Sequence, residues 1–377
     1  MISMIEQGPI RPPSEAGSLL IRLTRNCPWN LCAFCPTYKG KKFSFRQVAE
    51  IKRDIDSFKE IERELINLSN ELGCGGRIDG KVAGAAYGRY GFLYYHVGSW
   101  LASGGRNVFL QDADSLIMKT ADLLEVLGHL RAAFPSVDRI TTYARSRTVM
   151  KKSGGELAEL VRAGIRRVHT GVESGSDEVL AFIKKGARGD DHILAGRMLK
   201  EAGVSVCQYV ILGMGGKRWA EEHPLQTARV INDVDPDFVR FRTLAVKEDS
   251  TLAGMVDKGD FAPLSEDEIV REERVLIENL HGIKTRLVSD HILNLLEEVE
   301  GRLPEDKEKM LGSIDRYLAL PERDRLIFRL GRRGGVYRFL DDLSRRDTRA
   351  RLEMALDQIL SEGTLDDAID EMRRQYI

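Results

Sequence analysis

Ser18–Pro36 reads SLLIRLTRNCPWNLCAFCP, a buried-looking apolar strand that runs without a break into a loop. That loop holds three of the chain's five cysteines, Cys27, Cys32 and Cys35, within nine residues. In a chain of 377 residues, thiols so close together do not make a disulfide framework, so metal ligation is their expected use. Three thiolates can each hold one iron of a cubane cluster and leave the fourth iron open to another ligand. Zinc with His96 or Cys74 as a distant fourth ligand is the alternative, although structural zinc sites usually arrange their ligands in two pairs. Cys74 and Cys207, each alone, read as small buried hydrophobes.

Downstream, apolar residues at Val48, Ile51, Ile55, Phe58, Ile61, Leu65 and Leu68 predict one long amphipathic helix. Residues 73–106, rich in glycine and aromatics, read as an insertion able to cover an active site, with a shorter helix or irregular stretch around FLYYHVGSWLAS. From Asn107 the pattern alternates. Strands are expected at 107–114, 139–144, 166–174, 205–216 and 237–246, and helices at 121–133, 154–163, 176–186, 190–203 and 219–233. A capping box, Ser153-x-x-Glu156, marks the start of the second of these helices. Strands joined by helical crossovers demand a parallel sheet, and six such units predict an α/β fold, a partial (βα)6 TIM-like barrel. A doubly wound sheet is the competing topology. No strand is expected after Val246, where residues 265–377 read as charged helices opening on a second capping box, Ser265-x-x-Glu268. The expected division is a segment at 1–17, the barrel at 18–250 and a helical C-terminal extension at 251–377.

Hydrophobic content of 42% with 31% charged residues describes a globular chain. A net charge of −1 supplies no global basic field of the kind that draws nucleic acid. The first residues show neither a basic nor an apolar leader region, and no run approaches a membrane span, so a cytoplasmic location without a membrane partner is expected.

The cysteine loop after the first strand, together with HTGVESGSDEVL at the end of the fourth, resembles the radical S-adenosylmethionine (SAM) enzymes over about residues 18–250. In that family an aromatic often precedes the last cysteine, as Phe34 does here. The family's usual spacing is Cys-x3-Cys-x2-Cys, whereas this loop is Cys-x4-Cys-x2-Cys, which leaves the subfamily open. The resemblance implies a [4Fe-4S] cluster on Cys27, Cys32 and Cys35, with SAM chelating the open iron. It also implies an electron donor such as flavodoxin or ferredoxin, and reductive cleavage of SAM to methionine and a 5′-deoxyadenosyl radical that takes hydrogen from a substrate.

The same resemblance places Asp112 on the SAM ammonium or the substrate, Glu173 and Ser174 on ribose hydroxyls, and Leu212 and Gly213 along adenine. Arg145 could meet the methionine carboxylate through a charge-assisted pair, or make only a surface ion pair. Asp114, Ser174 and Ser176 also suit helix caps. Arg240 and Arg242 share one strand face, and if they point inward they suggest an anionic substrate or cofactor; otherwise they make solvent ion pairs. Tyr87, Tyr90, Tyr94, Tyr95 and His96 could line a substrate pocket, though an aromatic stripe is more often core. His223 lies beside the fifth-strand loop, and Ser289 or Asp290 reads as the cap of an amphipathic helix before His291. The substrate is unassigned. A non-catalytic iron–sulfur redox or sensor protein, or an enzyme modifying RNA or protein, are the alternatives. Nucleic acid is disfavoured, because LGRRGGVYRFLDDLSRRDTRARLE mixes both charge signs and reads as a solvated helical face.

Overall fold

The computed structural model describes residues 5–365, 368 and 369. In chain order its main elements are β1 (Leu19–Arg22), α1 (Val48–Glu71), α2 (Gly80–Tyr90), α3 (Phe92–Ala102), β2 (Asn107–Gln111), α4 (Thr120–Ala133), β3 (Arg139–Tyr143), α5 (Gly154–Arg162) and β4 (Ile165–Glu173). There follow α6 (Asp177–Phe182), α7 (Gly189–Glu201), β5 (Ser205–Leu212), α8 (Glu222–Val234), β6 (Phe238–Thr243), α9 (Thr251–Asp257) and α10 (Glu266–Glu278). Last come β7 (Arg286–Val288), β8 (Gly301–Arg302), α11 (Lys307–Leu318), α12 (Glu322–Arg333) and α13 (Arg346–Glu362). These eight strands are mostly parallel, and the βα alternation is that of a partial TIM-like barrel. Two compact units divide the chain: Met1–Asn30, Thr37–Thr170 and Ala195–Val206 form the first, and Leu31–Pro36, Gly171–Leu194 and Cys207–Ile377 the second.

In the first unit β1, β2, β3 and β4 pair in parallel, with Leu19 opposite Val108, Ile140 opposite Val108 and Tyr143 opposite His169. Helix α1 buries Ile51, Ile55, Phe58, Ile61, Leu65 and Leu68 against the strand side chains Leu19, Ile21, Val108 and Leu110. Each such burial stabilises the unit by about 1.5–3 kcal/mol. The helix begins at a capping box formed by Gln47 and Glu50. The glycine-rich stretch after it is helical: Asp79 accepts from the N–H groups of Lys81 and Val82 and starts α2. Gly98 lets α3 settle on α2, since a Cβ there would lie 3.2 Å from the Cα of Ala83.

In the second unit β5, β6 and β7 are parallel and β8 runs antiparallel to β7. Val210, Leu212, Val239 and Phe241 share a core with Val270, Leu276 and Ile277 of α10. β7 and β8 correct the expectation that no strand follows Val246. They are three and two residues long, too short to show an alternating pattern.

The helix expected after Ser289 is irregular chain. Asn294, 3% exposed, donates to the Phe241 carbonyl of β6 and to Ser289 Oγ at 3.0 Å each, contacts that tie this irregular chain to the sheet. The solvated face expected after Leu330 is corrected in part: residues 344–347 are exposed as expected, but the start of the stretch is not. Arg333 and Tyr337 are buried, and Glu266 accepts hydrogen bonds from both Arg329 and Arg333. Among the described residues no helix is long and apolar enough to cross a membrane.

Candidate active site

In the first unit the ends of β1 and β2 are tied to the flanks of the cysteine loop through one carboxylate. Asp112 is fully buried. Its Oδ2 accepts from Arg22 Nη2 at 2.8 Å and from the Asn26 N–H at 3.3 Å, and its Oδ1 accepts from the Tyr38 hydroxyl. Asn26 precedes Cys27, and Tyr38 follows Cys35. The side chain of Asp112 is therefore engaged by donors of its own chain. Burial, reinforced by the hydrogen bond to Asp112, pushes the Tyr38 phenol well above its ordinary range. Within the loop, the Asn30 N–H points at Cys27 Sγ at 3.5 Å.

Asp114 stands at the N-cap position of the 3₁₀ turn Ser115–Ile117, but its side chain makes no capping bond there. Its carboxylate accepts from Thr148 Oγ1 at 2.6 Å and from the Arg145 N–H at 3.3 Å, and complete burial raises its pKa to about 6. The guanidinium of Arg145 lies 4.9 Å from the ring centre of Trp29, a cation–π contact that holds it beside the cysteine loop. His96 Nε2 sits 3.0 Å from the Ser18 carbonyl and thus ties α3 to the start of β1. The aromatic stripe of α2 and α3 is not core. Tyr87 and Tyr95 are 58% and 42% exposed, and Tyr94 alone of the four tyrosines reaches inward, its hydroxyl on Glu64.

In the second unit Cys32, Ala33, Phe34 and Cys35 are strapped to helical chain. The Ala33 N–H donates to the Ile183 carbonyl, and the Leu252 N–H donates to the Ala33 carbonyl. Phe34 packs on the cluster that contains Val179, Leu180, Met214 and Trp219. Glu173 has φ of 63°, and its carboxylate accepts from Lys185 Nζ at 2.6 Å. The side chain folds over Gly171, where a Cβ would meet Glu173 Oε1 at 2.1 Å; that glycine is a signal sequence reasoning missed.

Ser174 is buried, with its hydroxyl 2.8 Å from His223 Nδ1. His223 Nε2 faces the Ile211 carbonyl at 3.2 Å, so Nε2 carries the proton and Nδ1 accepts from Ser174. Burial lowers the His223 pKa to about 4 and keeps the ring neutral. Leu212 is buried at the end of β5, and its carbonyl accepts from the Leu244 N–H. The Gly213 N–H donates at 2.6 Å to Glu272 Oε1 from α10, and burial raises the Glu272 pKa to about 8. Glu272 is the positioning group that local pattern could not reveal, because it lies 59 residues from Gly213. A cavity of about 950 Å³ opens beside Gly213, Lys217, Leu244 and Lys247. Arg240 and Arg242 both pair with Asp290, which therefore does not serve as a helix cap.

Residues 96–229 match the model of the Radical SAM superfamily. The chain thus carries a radical SAM domain, of a family whose members use a [4Fe-4S] cluster and SAM. Among curated relatives, the tRNA uridine(34) acetyltransferase of Methanocaldococcus jannaschii is 21% identical over 282 residues, which is 72% of this chain and 50% of the relative. The enzyme of the same name from Methanocaldococcus infernus is 30% identical over 116 residues, 30% of this chain and 22% of the relative. The chain spans half or less of the length of these two relatives. A solved structure of methylornithine synthase aligns with a TM-score of 0.43 at 18% identity, covering 73% of this chain and 66% of the other.

The donor set suits the cluster. Cys27, Cys32 and Cys35 make no disulfide and are partly exposed, and soft thiolates are the iron ligands such clusters require. Cys27 belongs to the first unit and Cys32 and Cys35 to the second. Among the described residues no three His, Cys, Asp or Glu side chains are already gathered as a metal site.

Proposed function

We propose that this chain binds a [4Fe-4S] cluster through Cys27, Cys32 and Cys35 and reductively cleaves SAM to initiate hydrogen abstraction from a substrate. The observation that carries this reading is the three-thiol loop directly after β1 in a chain whose residues 96–229 match the radical SAM model. When bound, the cluster and SAM supply the one-electron scission of a carbon–sulfur bond.

The chain's own residues place and enclose that chemistry. Asp112 holds the Asn26 and Tyr38 flanks of the loop, and the straps at Ala33 hold its middle. Glu173, steadied by Lys185, offers a carboxylate to ribose hydroxyls. Ser174 acts from behind, keyed to neutral His223. Leu212 and Gly213 present an apolar side chain and a turn to adenine, with the turn held by protonated Glu272. Arg145 remains a charge-assisted partner for the methionine carboxylate, positioned on Trp29. The electron comes from a small donor protein of the flavodoxin or ferredoxin kind.

A second reading concerns the substrate. Both tRNA-modifying relatives favour an RNA substrate over a small metabolite. Anaerobic reconstitution followed by dithionite and SAM tests the first reading, which requires release of 5′-deoxyadenosine; iron-loaded protein that releases none overturns it. Adding bulk tRNA tests the second, which requires deuterium from labelled RNA in the deoxyadenosine.

A further inference from the structure

On one face of the parallel pair β5 and β6, Tyr209 stands opposite Arg240 and Ile211 opposite Arg242. The other face carries Val210, Leu212, Val239 and Phe241, which pack into the core shared with α10. By the two-residue period of strands, Tyr209, Ile211, Arg240 and Arg242 therefore point away from the helical layer. Two guanidiniums thus lie side by side on the face opposite the helices. Arg242 lies over the ring of Tyr209, 5.0 Å from its centre.

Asp290 is the one carboxylate that pairs with either arginine among the described residues. Its Oδ2 takes Arg240 Nη1, and its Oδ1 sits 3.4 Å from Arg242 Nη1. One carboxylate against two guanidiniums leaves a net positive charge on the group. Arg240 is 7% exposed, and its Nε is buried without a hydrogen-bond partner. A buried donor left unsatisfied costs about 1–3 kcal/mol, a cost a bound acceptor would recover. The Asp290 side chain is 32% exposed, so the pair is open to an incoming ion.

We infer that Arg240 and Arg242 form a recognition site for an oxyanion of the substrate, a carboxylate or a phosphate. Asp290 holds the forks in place when the site is empty. This rests on the radical SAM reading for its place in a reaction, but its binding test does not. Planar forks of this kind match both oxyanions in bidentate geometry, whereas an uncharged substrate would leave the excess charge uncompensated.

The test is calorimetric titration of the anaerobically reconstituted full chain, first without and then with saturating SAM, using inorganic phosphate in one arm and succinate in the other. Saturable binding of at least one probe is expected, and the tighter arm names the source of the anion. R242Q should raise the dissociation constant about tenfold or more, and R242K should restore part of the loss. D290N should lower it several-fold, because it frees both Nη1 groups; that opposite sign is not produced by a variant that merely unfolds. Binding by neither probe at tens of millimolar overturns the site, as do R242Q and D290N constants both within twofold of the parent. Loss of binding when SAM is added also overturns it, since the arginines would then hold the cofactor's carboxylate. Deoxyadenosine release is measured in the same samples. Parent protein that binds phosphate but does not split SAM sinks the catalytic reading and leaves the anion site standing.

Discussion

Replacing Asp112 by alanine should loosen the cysteine loop more than any other single change in the first unit. The carboxylate is fully buried and serves three donors, two of them, Asn26 and Tyr38, on opposite flanks of the three cysteines. Removing one partner of a buried ion pair costs about 3–5 kcal/mol. Arg22 keeps Glu6 at 3.0 Å and the Thr24 carbonyl at 3.2 Å, which places its share near or below the bottom of that range. The Tyr38 hydroxyl, left buried, adds about 1–3 kcal/mol. A total of about 4 kcal/mol corresponds to roughly a thousandfold rise in the opening equilibrium of this segment. Hydrogen exchange resolved to the peptide spanning residues 24–46 reads that opening directly. D112N, which keeps the shape and one acceptor oxygen, should lie between the parent and D112A. Iron retained after anaerobic reconstitution should fall in the same order. Exchange of this peptide in D112A within about threefold of the parent would refute the clamp.

Serine at Cys27, Cys32 or Cys35 should each abolish both iron binding and deoxyadenosine release, whereas C74S and C207S should keep both; elemental analysis and product chromatography decide. Glu272 bears on pH. Its folded pKa of about 8 lies above the ordinary 4.5, so the stability it contributes is complete below pH 4.5 and is lost as pH rises through about 8. The slope reaches at most about 1.4 kcal/mol per pH unit for one proton, and in E272Q the denaturation midpoint should vary less between pH 6 and 9. A parent and variant with parallel pH profiles would show that Glu272 is not held protonated. In the helical tail, E266A removes the carboxylate shared by the guanidiniums of Arg329 and Arg333, which are 5% and 4% exposed, and should cost about 3–5 kcal/mol by chemical denaturation.

The elements legible in advance were those whose signals sit within one or two turns of chain. The three-and-four spacing from Val48 to Leu68 became α1, and the capping boxes at Ser153 and Ser265 start helices as expected. A strand running into clustered thiols and the βα alternation that follows were legible for the same reason. Each depends on residues close together in sequence, where periodicity and capping act.

What tertiary structure alone decided are pairings across long separations. Asp112 meets Tyr38 over 74 residues, Glu272 meets Gly213 over 59, and Asp290 meets Arg240 over 50. An acidic side chain carries no mark in its own neighbourhood of which distant donor will reach it, so Asp112 read as a group for the SAM ammonium or the substrate. β7 and β8 were hidden by the same physics: two or three residues become strand only because a neighbouring backbone is there to pair with. Local chemistry thus pointed to a family, while packing chose which polar groups are spent on the fold.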